Sequence, residues 1–496
     1  MDKYQQYVEI CKKIADVEYA AAVLNWDYEV MMPSKGVESR SRQLATLSVM
    51  AHEWNTSEEF GAILEAVSED KSLSWEQQRN ISNSLKDFKK QQKYTSDFVR
   101  KMSQTVSKSF HAWQTARKEN DFKIFAPHLE EIIRLKREEA HFLGFEDHPY
   151  DALMDEFEPG ATTQMIDQLF VGVKESLSKL LTQVQQGKSP QNLFSGKKYE
   201  ASKQWDITIS VLKKMGYDFE AGRQDYSAHP FTTNFSSQDV RITTRANEDD
   251  IFDMLSSSIH EGGHALYEQG LLESNYGLPA GRYLSLGIHE SQSRLWENCV
   301  GRSEAFWKNN FDLLITQFPE NCKNLSARDA FISDNLIQPS FIRVQADELT
   351  YHFHIMIRYE LEKRLIEGSL EVKDLKDAWN EMYLKYLGIQ VPSDNQGVLQ
   401  DVHWSHGSLG YFATYSLGSF YAAQFFEQAQ KEIPNLNTAI EQGNLLVLKT
   451  WLNDKIHRFG RLYTADELCE KVTGERLNFH HFYTYLEHKL QQIYSF

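Results

Sequence analysis

His260-Glu261-Gly262-Gly263-His264 sets two imidazoles and a carboxylate in the spacing H-E-x-x-H. On a helix, residues four apart lie about 40° apart around the axis and about 6 Å along it, so both rings face the same way and can share one cation. Glu261, rotated by about 100° from His260, sends its carboxylate past that cation toward a water molecule. Two neutral nitrogens with a carboxylate nearby suit Zn2+, with Co2+ or another divalent cation of similar ligand taste also admissible. Long chains also produce this pattern by chance, so its surroundings carry weight. Phe252, Leu255, Ile259, Leu266 and Tyr267 recur at helical spacing beside the histidines. Two consecutive glycines inside a helix cost about 1 kcal/mol each relative to alanine. A helix bearing that cost is expected to gain the close approach of another backbone or of a ligand.

A catalytic zinc site usually takes three protein ligands and leaves a fourth position for water. Glu290 stands 26 residues beyond His264, after a loop containing Gly270, Gly277 and Gly281 and at the start of a helix expected to run to about Val300. That length suffices for a loop and a return helix. His289 and Glu297 are its local competitors. His289 falls on a different face from Glu290, which suits a supporting or core role.

The elements that must position these groups are mostly helical. Tyr7, Ile10, Ile14, Val17 and Ala21 follow a three-to-four spacing that Met32-Pro33-Ser34-Lys35-Gly36 breaks, and a second helix is expected from about Val37 to Trp54. Residues 75–118, Lys123 to Phe142, 163–186, 198–215 and the last 70 residues carry the same periodicity, and a connector joins Gly187 to Gly196. The texture changes after Met215-Gly216-Tyr217. Phe231 to Asn234 and Asp239 to Thr244, rich in Thr and β-branched residues, suit short strands of a hairpin or three-stranded sheet just before the H-E-x-x-H helix. A strand beside a catalytic helix could bind an extended peptide through main-chain hydrogen bonds.

Composition excludes several classes. The chain has 496 residues, enough for a large core, with 70 acidic against 53 basic residues and a formal net charge of −17. No basic run occurs, which argues against nucleic acid and anionic membrane as partners. Cys11, Cys299, Cys322 and Cys469 show no C-x-x-C spacing, as expected of thiols in a reducing compartment. The first 26 residues lack the apolar core of a signal peptide, and no run approaches the roughly 18 apolar residues of a membrane span. A cytoplasmic location is the expectation.

Two further polar stretches follow the paired-histidine helix. Phe341 to Asp347 is expected to open a helix extending to about Ile366, in which Arg343 could simply pair with Asp347 at i,i+4. Gly397 to Trp404 leads into a Gly- and Tyr-rich run from Gly407 to Gln424. Aromatic packing is the plain alternative for His403 and the tyrosines.

Taken together, six blocks in this order resemble the carboxypeptidase Taq family of metallocarboxypeptidases. They are His229-Pro230-Phe231, Asp239-x-Arg241-x-Thr243, His260-Glu261-x-x-His264, His289-Glu290-Ser291-Gln292, Ile342-Arg343-x-x-Ala346-Asp347 and Gly397-x-x-Gln400-Asp401-x-His403-Trp404. No matched position departs from the pattern, and Trp26-Asp27 and the chain length also fit. The resemblance implies a mainly α fold: one domain over residues 1–496, with a helical part to about 215, catalytic motifs about 229–424, a deep groove and a small β-sheet next to the active site. That fold is similar to those of neurolysin and angiotensin-converting enzyme. It also implies a homodimer, a zinc or cobalt ion, and removal of single C-terminal residues from peptides with a free C-terminus, with broad side-chain tolerance.

On this basis His260, His264 and Glu290 are expected to hold the cation, and Glu261 to act as general base and then general acid. His403, Tyr411 and Tyr415 are candidate donors to the tetrahedral intermediate, the tyrosines through similarity to Gly/Tyr-rich segments of related helical peptidases. Arg343 and Arg241 both qualify as the guanidinium that recognises a terminal carboxylate, and residue types alone do not rank them. His229 and Phe231 are expected to shape the groove near the sheet. The alternatives are an endopeptidase or dipeptidyl-carboxypeptidase on the same frame, and a non-catalytic helical peptide-binding protein. An intact Glu261 speaks against the last, because a structural metal site needs no base.

Overall fold

The computed structural model describes residues 2–496, and helices dominate it. The chain forms two compact units, each gathered from three stretches. One comprises the residues up to Gln91, Gln191–Asp334 and Gly418–Asn478; the other comprises Gln92–Pro190, Asn335–Leu417 and Phe479–Phe496. Among the described residues no helix is long and apolar enough to cross a membrane.

In the first unit the helix Lys3–Val30 starts where the Asp2 carboxylate accepts the Gln5 N–H at 2.7 Å, satisfying one of the free donors of its first turn. It stops at Val30, just before the expected break over Met32 to Gly36, where Pro33 disfavours helix in the residue before it. The helix Val37–Asn55 follows, then Glu58–Ser68, where Ser57 caps the Phe60 N–H. Phe60, Ile63, Leu64 and Val67 recur at i, i+3, i+4 and i+7, and all four are buried with Tyr7, Cys11, Ile14 and Ile81. Each such apolar side chain stabilises the fold by about 1.5–3 kcal/mol.

The same unit holds the one sheet of the described residues, with β1 (Gly222–Tyr226), β2 (Thr232–Ser236) and β3 (Asp239–Thr244) in the order β1-β3-β2. β3 pairs parallel with β1 and antiparallel with β2, and a bulge interrupts the second pairing between Asn234 and Ser236. Val240 and Ile242 of β3 are fully buried, and β2 and β3 both pack on the helix Ile251–Gln269. This helix begins where the Asp250 carboxylate accepts the Phe252 N–H at 2.9 Å. It is buried on nearly every face, because the helices Ala201–Met215 and Leu286–Arg294 cover what the sheet leaves open. The four cysteines are free and buried, as their scatter suggested.

The second unit is a stack of long helices. Ser96–Glu119 and Phe122–Leu143 are joined at Asn120, which adopts the left-handed conformation that asparagine tolerates better than most residues. Thr163–Gln186 coincides with its predicted span. The segment after Phe341 differs from expectation. Arg343–Gln345 is a single 3₁₀ turn, and the helix begins only at Tyr351 and runs to Glu367. Asp347 explains the delay. Its carboxylate accepts the backbone N–H groups of Leu349 and Thr350 at 3.0 and 2.7 Å, so the chain turns there and helix starts after it.

Candidate metal centre

His260 and His264 stand one turn apart on the buried helix Ile251–Gln269, and their Nε2 atoms approach one carboxylate oxygen, Glu290 Oε2, at 3.6 and 3.4 Å. One ligand atom from each of these three residues lies within 4.8 Å of the others. Bonds of about 2.0–2.1 Å to a tetrahedral ion place its ligands roughly 3.4 Å apart, so the observed spacing fits a divalent cation of zinc size. Glu290 comes from the helix Leu286–Arg294, which Ser285 caps by accepting the Ile288 N–H at 3.1 Å.

The glycine pair lets the two helices meet. A Cβ on Gly263 would lie 2.7 Å from both the Gln292 carbonyl oxygen and the Ser293 Cα, atoms of the backbone that carries Glu290. A Cβ on Gly418 would come within 2.5 Å of Glu290 Cγ. Thus glycines press on the carboxylate-bearing helix from two directions, and the cost of Gly263 in helix propensity is offset by this approach.

Every proposed ligand is oriented by a neighbour. Glu297, at the head of the π-helical turn Leu295–Gly301, accepts a hydrogen bond from His260 Nδ1 at 2.8 Å. Arg294 donates from Nε to Glu290 Oε1 at 2.7 Å and from Nη1 to Glu297 Oε2 at 3.1 Å, and Ser293 Oγ donates to Glu290 Oε2 at 3.0 Å. Arg294 thereby occupies one Glu290 oxygen and leaves Oε2 toward the imidazoles. His264 Nδ1 meets His289 Nδ1 at 2.5 Å. Thr232 Oγ1, from β2, donates to Glu261 Oε2 at 2.6 Å and lies 3.0 Å from the Glu261 backbone carbonyl.

These surroundings set the charges. Burial opposes ionisation of Glu290, but Arg294 and His260 outweigh it and hold the carboxyl below the usual range. Burial likewise opposes a charge on His260, and Glu290 and Glu297 overcome it and raise its pKa. For His264 burial wins, helped by His289 beside it, and the pKa falls to about 3. Burial pushes the Glu261 carboxyl up, which makes it a better proton acceptor than a free glutamate.

The remaining candidates fall into two places. In the first unit, Arg241 on β3 bonds Asp239 through Nε and Nη2 at 2.9 and 2.8 Å and lies 4.4 Å above the Trp26 ring. His229 is exposed in the loop between β1 and β2, and Ser227 Oγ donates to its carbonyl at 2.6 Å. In the second unit Arg343, His403, Tyr411 and Tyr415 come together. Arg343 is buried and donates to Asp401 Oδ1 at 2.9 Å and lies 4.8 Å from the Tyr415 ring; it does not pair with Asp347, because no helix spans the two. His403 Nε2 is 3.2 Å from the Tyr415 hydroxyl, and its ring lies 5.2 Å from that of Tyr411. Burial, with Arg343 nearby, lowers the His403 pKa to about 3 and keeps the ring neutral.

Several contributors escaped the sequence reading: Thr232, Asn234, Glu268, Arg294 and Gly418. Thr232 and Asn234 are alternate residues of one strand, a period-2 signal that was available. Arg294 bonds across ordinary i−4 and i+3 spacings, which by themselves look like solvated ion pairs.

A family model for the carboxypeptidase Taq (M32) metallopeptidases matches residues 6–490. The chain belongs to this family. As an M32 member it is an enzyme that hydrolyses peptide bonds. It is 36% identical over 492 residues to carboxypeptidase 1 of Bacillus subtilis strain 168, covering 99% of this chain and 98% of that one. It is 37% identical over 482 residues to thermostable carboxypeptidase 1 of Pyrococcus furiosus, covering 96% of each. The solved structure of the M32 carboxypeptidase from Deinococcus radiodurans R1 superposes with a TM-score of 0.96 at 38% identity over 99% of both chains. The M32 assignment agrees with the mainly helical fold and small sheet, and implies a divalent metal, for which the His260, His264 and Glu290 group has the right donors.

Proposed function

We propose that this M32 enzyme removes single C-terminal residues from peptides with broad tolerance of the side chain, using His260, His264 and Glu290 as metal ligands and Glu261 as the proton carrier. The observation that carries this reading is the convergence of the three ligand atoms beside a buried carboxylate that Thr232 holds by one oxygen. A divalent cation at these ligands supplies Lewis acidity, which lowers the pKa of water from 15.7 to about 7 and polarises a carbonyl. Glu261 Oε2 is anchored by Thr232, so Oε1 takes the proton of the attacking water and hands it to the nitrogen of the leaving amine. His403, Tyr411 and Tyr415 supply donors for the oxyanion. Arg241 and Arg343 both remain candidates for the terminal carboxylate; Arg241 is the more accessible, with 20% of its side chain exposed against 8% for Arg343. His229 and Phe231 line the approach beside the sheet.

We further propose zinc as the ion, a homodimer as the assembly, residues 1–496 as one catalytic domain and the cytoplasm as the compartment. Metal analysis and sedimentation test the first two. A free peptide compared with its C-terminally amidated twin tests the reaction: release of one residue from the free form only is expected, and equal cleavage of both refutes exopeptidase action. Two-residue or internal products would favour the dipeptidyl or endopeptidase alternative. Glu261→Gln should keep the metal and lose about 10²–10⁴-fold in turnover. Near-normal hydrolysis by the metal-loaded variant contradicts the assigned role.

A further inference from the structure

We propose that His289 and Glu268 are positioning residues that fix the tautomer and orientation of His264 through a hydrogen-bonded chain ending at Asn234. The inference rests on His264 being a metal ligand through Nε2, which lies 3.4 Å from Glu290 Oε2. Its other nitrogen, Nδ1, is 2.5 Å from His289 Nδ1. Two ring nitrogens this close share a single proton, since two N–H groups would collide and two lone pairs would repel. The ring centroids are 4.5 Å apart with planes only 28° from parallel, an edge-to-edge approach that lets the bond lie near both ring planes.

Ligation through Nε2 leaves the His264 hydrogen on Nδ1, so His289 accepts at Nδ1. A neutral imidazole that accepts at one nitrogen carries its hydrogen on the other. His289 Nε2 accordingly donates to Glu268 Oε1, 2.8 Å away, and Glu268 Oε2 accepts from Asn234 Nδ2 at 2.7 Å. Each donor has one acceptor from end to end, and the direction follows from the first bond alone.

Glu268 makes the case for purpose. It is 3% exposed, and its hydrogen-bond partners are His289 and Asn234, neither of them a lysine or arginine. A buried carboxylate needs hydrogen-bond donors, and one of the two that Glu268 has is the ring that leads to His264. At Nδ1, His260 meets a carboxylate, Glu297, directly, whereas His264 Nδ1 reaches Glu268 through the intervening His289 ring. The rings of Tyr267 and Tyr283 flank His289 at 5.4 and 4.9 Å and hold that ring in place. β2 ties both ends together: Thr232 fixes Glu261 while Asn234, two residues on, fixes Glu268 two turns further along the same helix.

The test uses variants that keep or remove single atoms. His289→Asn retains an acceptor where Nδ1 stands and drops the bond to Glu268. His289→Phe keeps a ring and removes both bonds. Glu268→Gln keeps an acceptor oxygen and removes the charge. Zinc affinity of the full-length protein is measured by competition with a chromophoric chelator, alongside thermal unfolding of the metal-free forms. His289→Phe should bind zinc about 10–100-fold more weakly, Glu268→Gln several-fold more weakly, and His289→Asn should recover much of the phenylalanine loss, with metal-free unfolding unchanged in the Asn and Gln variants. Wild-type affinity in His289→Phe and Glu268→Gln, or equal losses in the Asn and Phe variants, overturns the proposal while leaving the metal centre intact. Failure of the wild-type chain to bind one zinc ion overturns both.

Discussion

Replacing Gly263 by alanine should damage the metal centre without touching a ligand. The new Cβ would stand 2.7 Å from Gln292 O and from Ser293 Cα, whereas ordinary contact begins at 3.4 Å, so about 0.7 Å of separation (3.4 − 2.7) must be found between two backbones. Neither obstacle is the end of a flexible side chain, so one helix has to shift. Metal–ligand distances tolerate about 0.2 Å, and a displacement of Glu290 several times larger against His260 and His264 disrupts the site. Alanine gains about 1 kcal/mol in helix propensity, while overpacking costs about 1–3 kcal/mol, leaving the metal-free fold between unchanged and roughly 2 kcal/mol weaker. Gly262→Ala is the internal control. It offers the same propensity gain, but its Cβ meets Leu212 Cδ2 at 2.6 Å and Met215 Cε at 3.2 Å, side-chain ends that can swing aside. Chelator competition on both variants should show at least a tenfold loss of zinc affinity for Gly263→Ala, about 1.4 kcal/mol or more, and less than threefold for Gly262→Ala, under about 0.7 kcal/mol. Equal affinities in the two variants would refute the argument that backbone approach sets the ligand geometry.

Thr232→Val removes the 2.6 Å bond to Glu261 at constant shape and should cost about tenfold in kcat, about 1.4 kcal/mol, with KM little changed; steady-state kinetics on the metal-loaded variant decides it. Asp401 accepts from Arg343 Nε and Arg358 Nε at 2.9 and 2.6 Å, so Asp401→Asn leaves two buried guanidinium groups without their counter-charge and should lower stability by about 3–5 kcal/mol in denaturant unfolding; a loss under 1 kcal/mol contradicts this. Glu362 is buried, accepting from Tyr150 OH, Trp404 Nε1 and Gly410 N, and burial outweighs these bonds and raises its pKa from 4.5 to about 7. Between those values the folded state holds more protons than the unfolded one. This group's contribution is therefore complete below about pH 4.5 and falls as pH rises to 7, by about 3 kcal/mol, (7 − 4.5) × 1.36. Glu362→Gln should abolish that slope in pH-dependent unfolding, and an unaltered slope removes Glu362 as its source.

Local order made much of this protein legible in its residues. Helices announce themselves by apolar spacing and caps, as at Ser57 before Phe60, Ile63, Leu64 and Val67. Thr163–Gln186 was readable to the residue for the same reason. H-E-x-x-H is likewise a local statement, because one helical turn decides that both rings share a side. The paired glycines also announced a close approach, and Gly263 against the backbone of Gln292 and Ser293 is that approach. Where local rules compete, apolar spacing alone misplaces a helix start. Asp347 caps backbone donors instead of pairing with Arg343, and the helix waits until Tyr351.

Partnerships across long sequence separations belong to the tertiary structure. Glu290 reaches the imidazoles only because Gly263 and Gly418 let its helix settle between their own. Thr232 and Asn234 matter because strand and helix periods bring alternate residues of one against turns of the other. His289 meets His264 at Nδ1, the nitrogen that Glu290 does not approach, because its face of the helix turns toward Glu268. A residue's type and its near neighbours limit what it can do, but which distant group completes its hydrogen bonds depends on how elements pack, and packing sums many weak contacts that no short stretch of sequence contains.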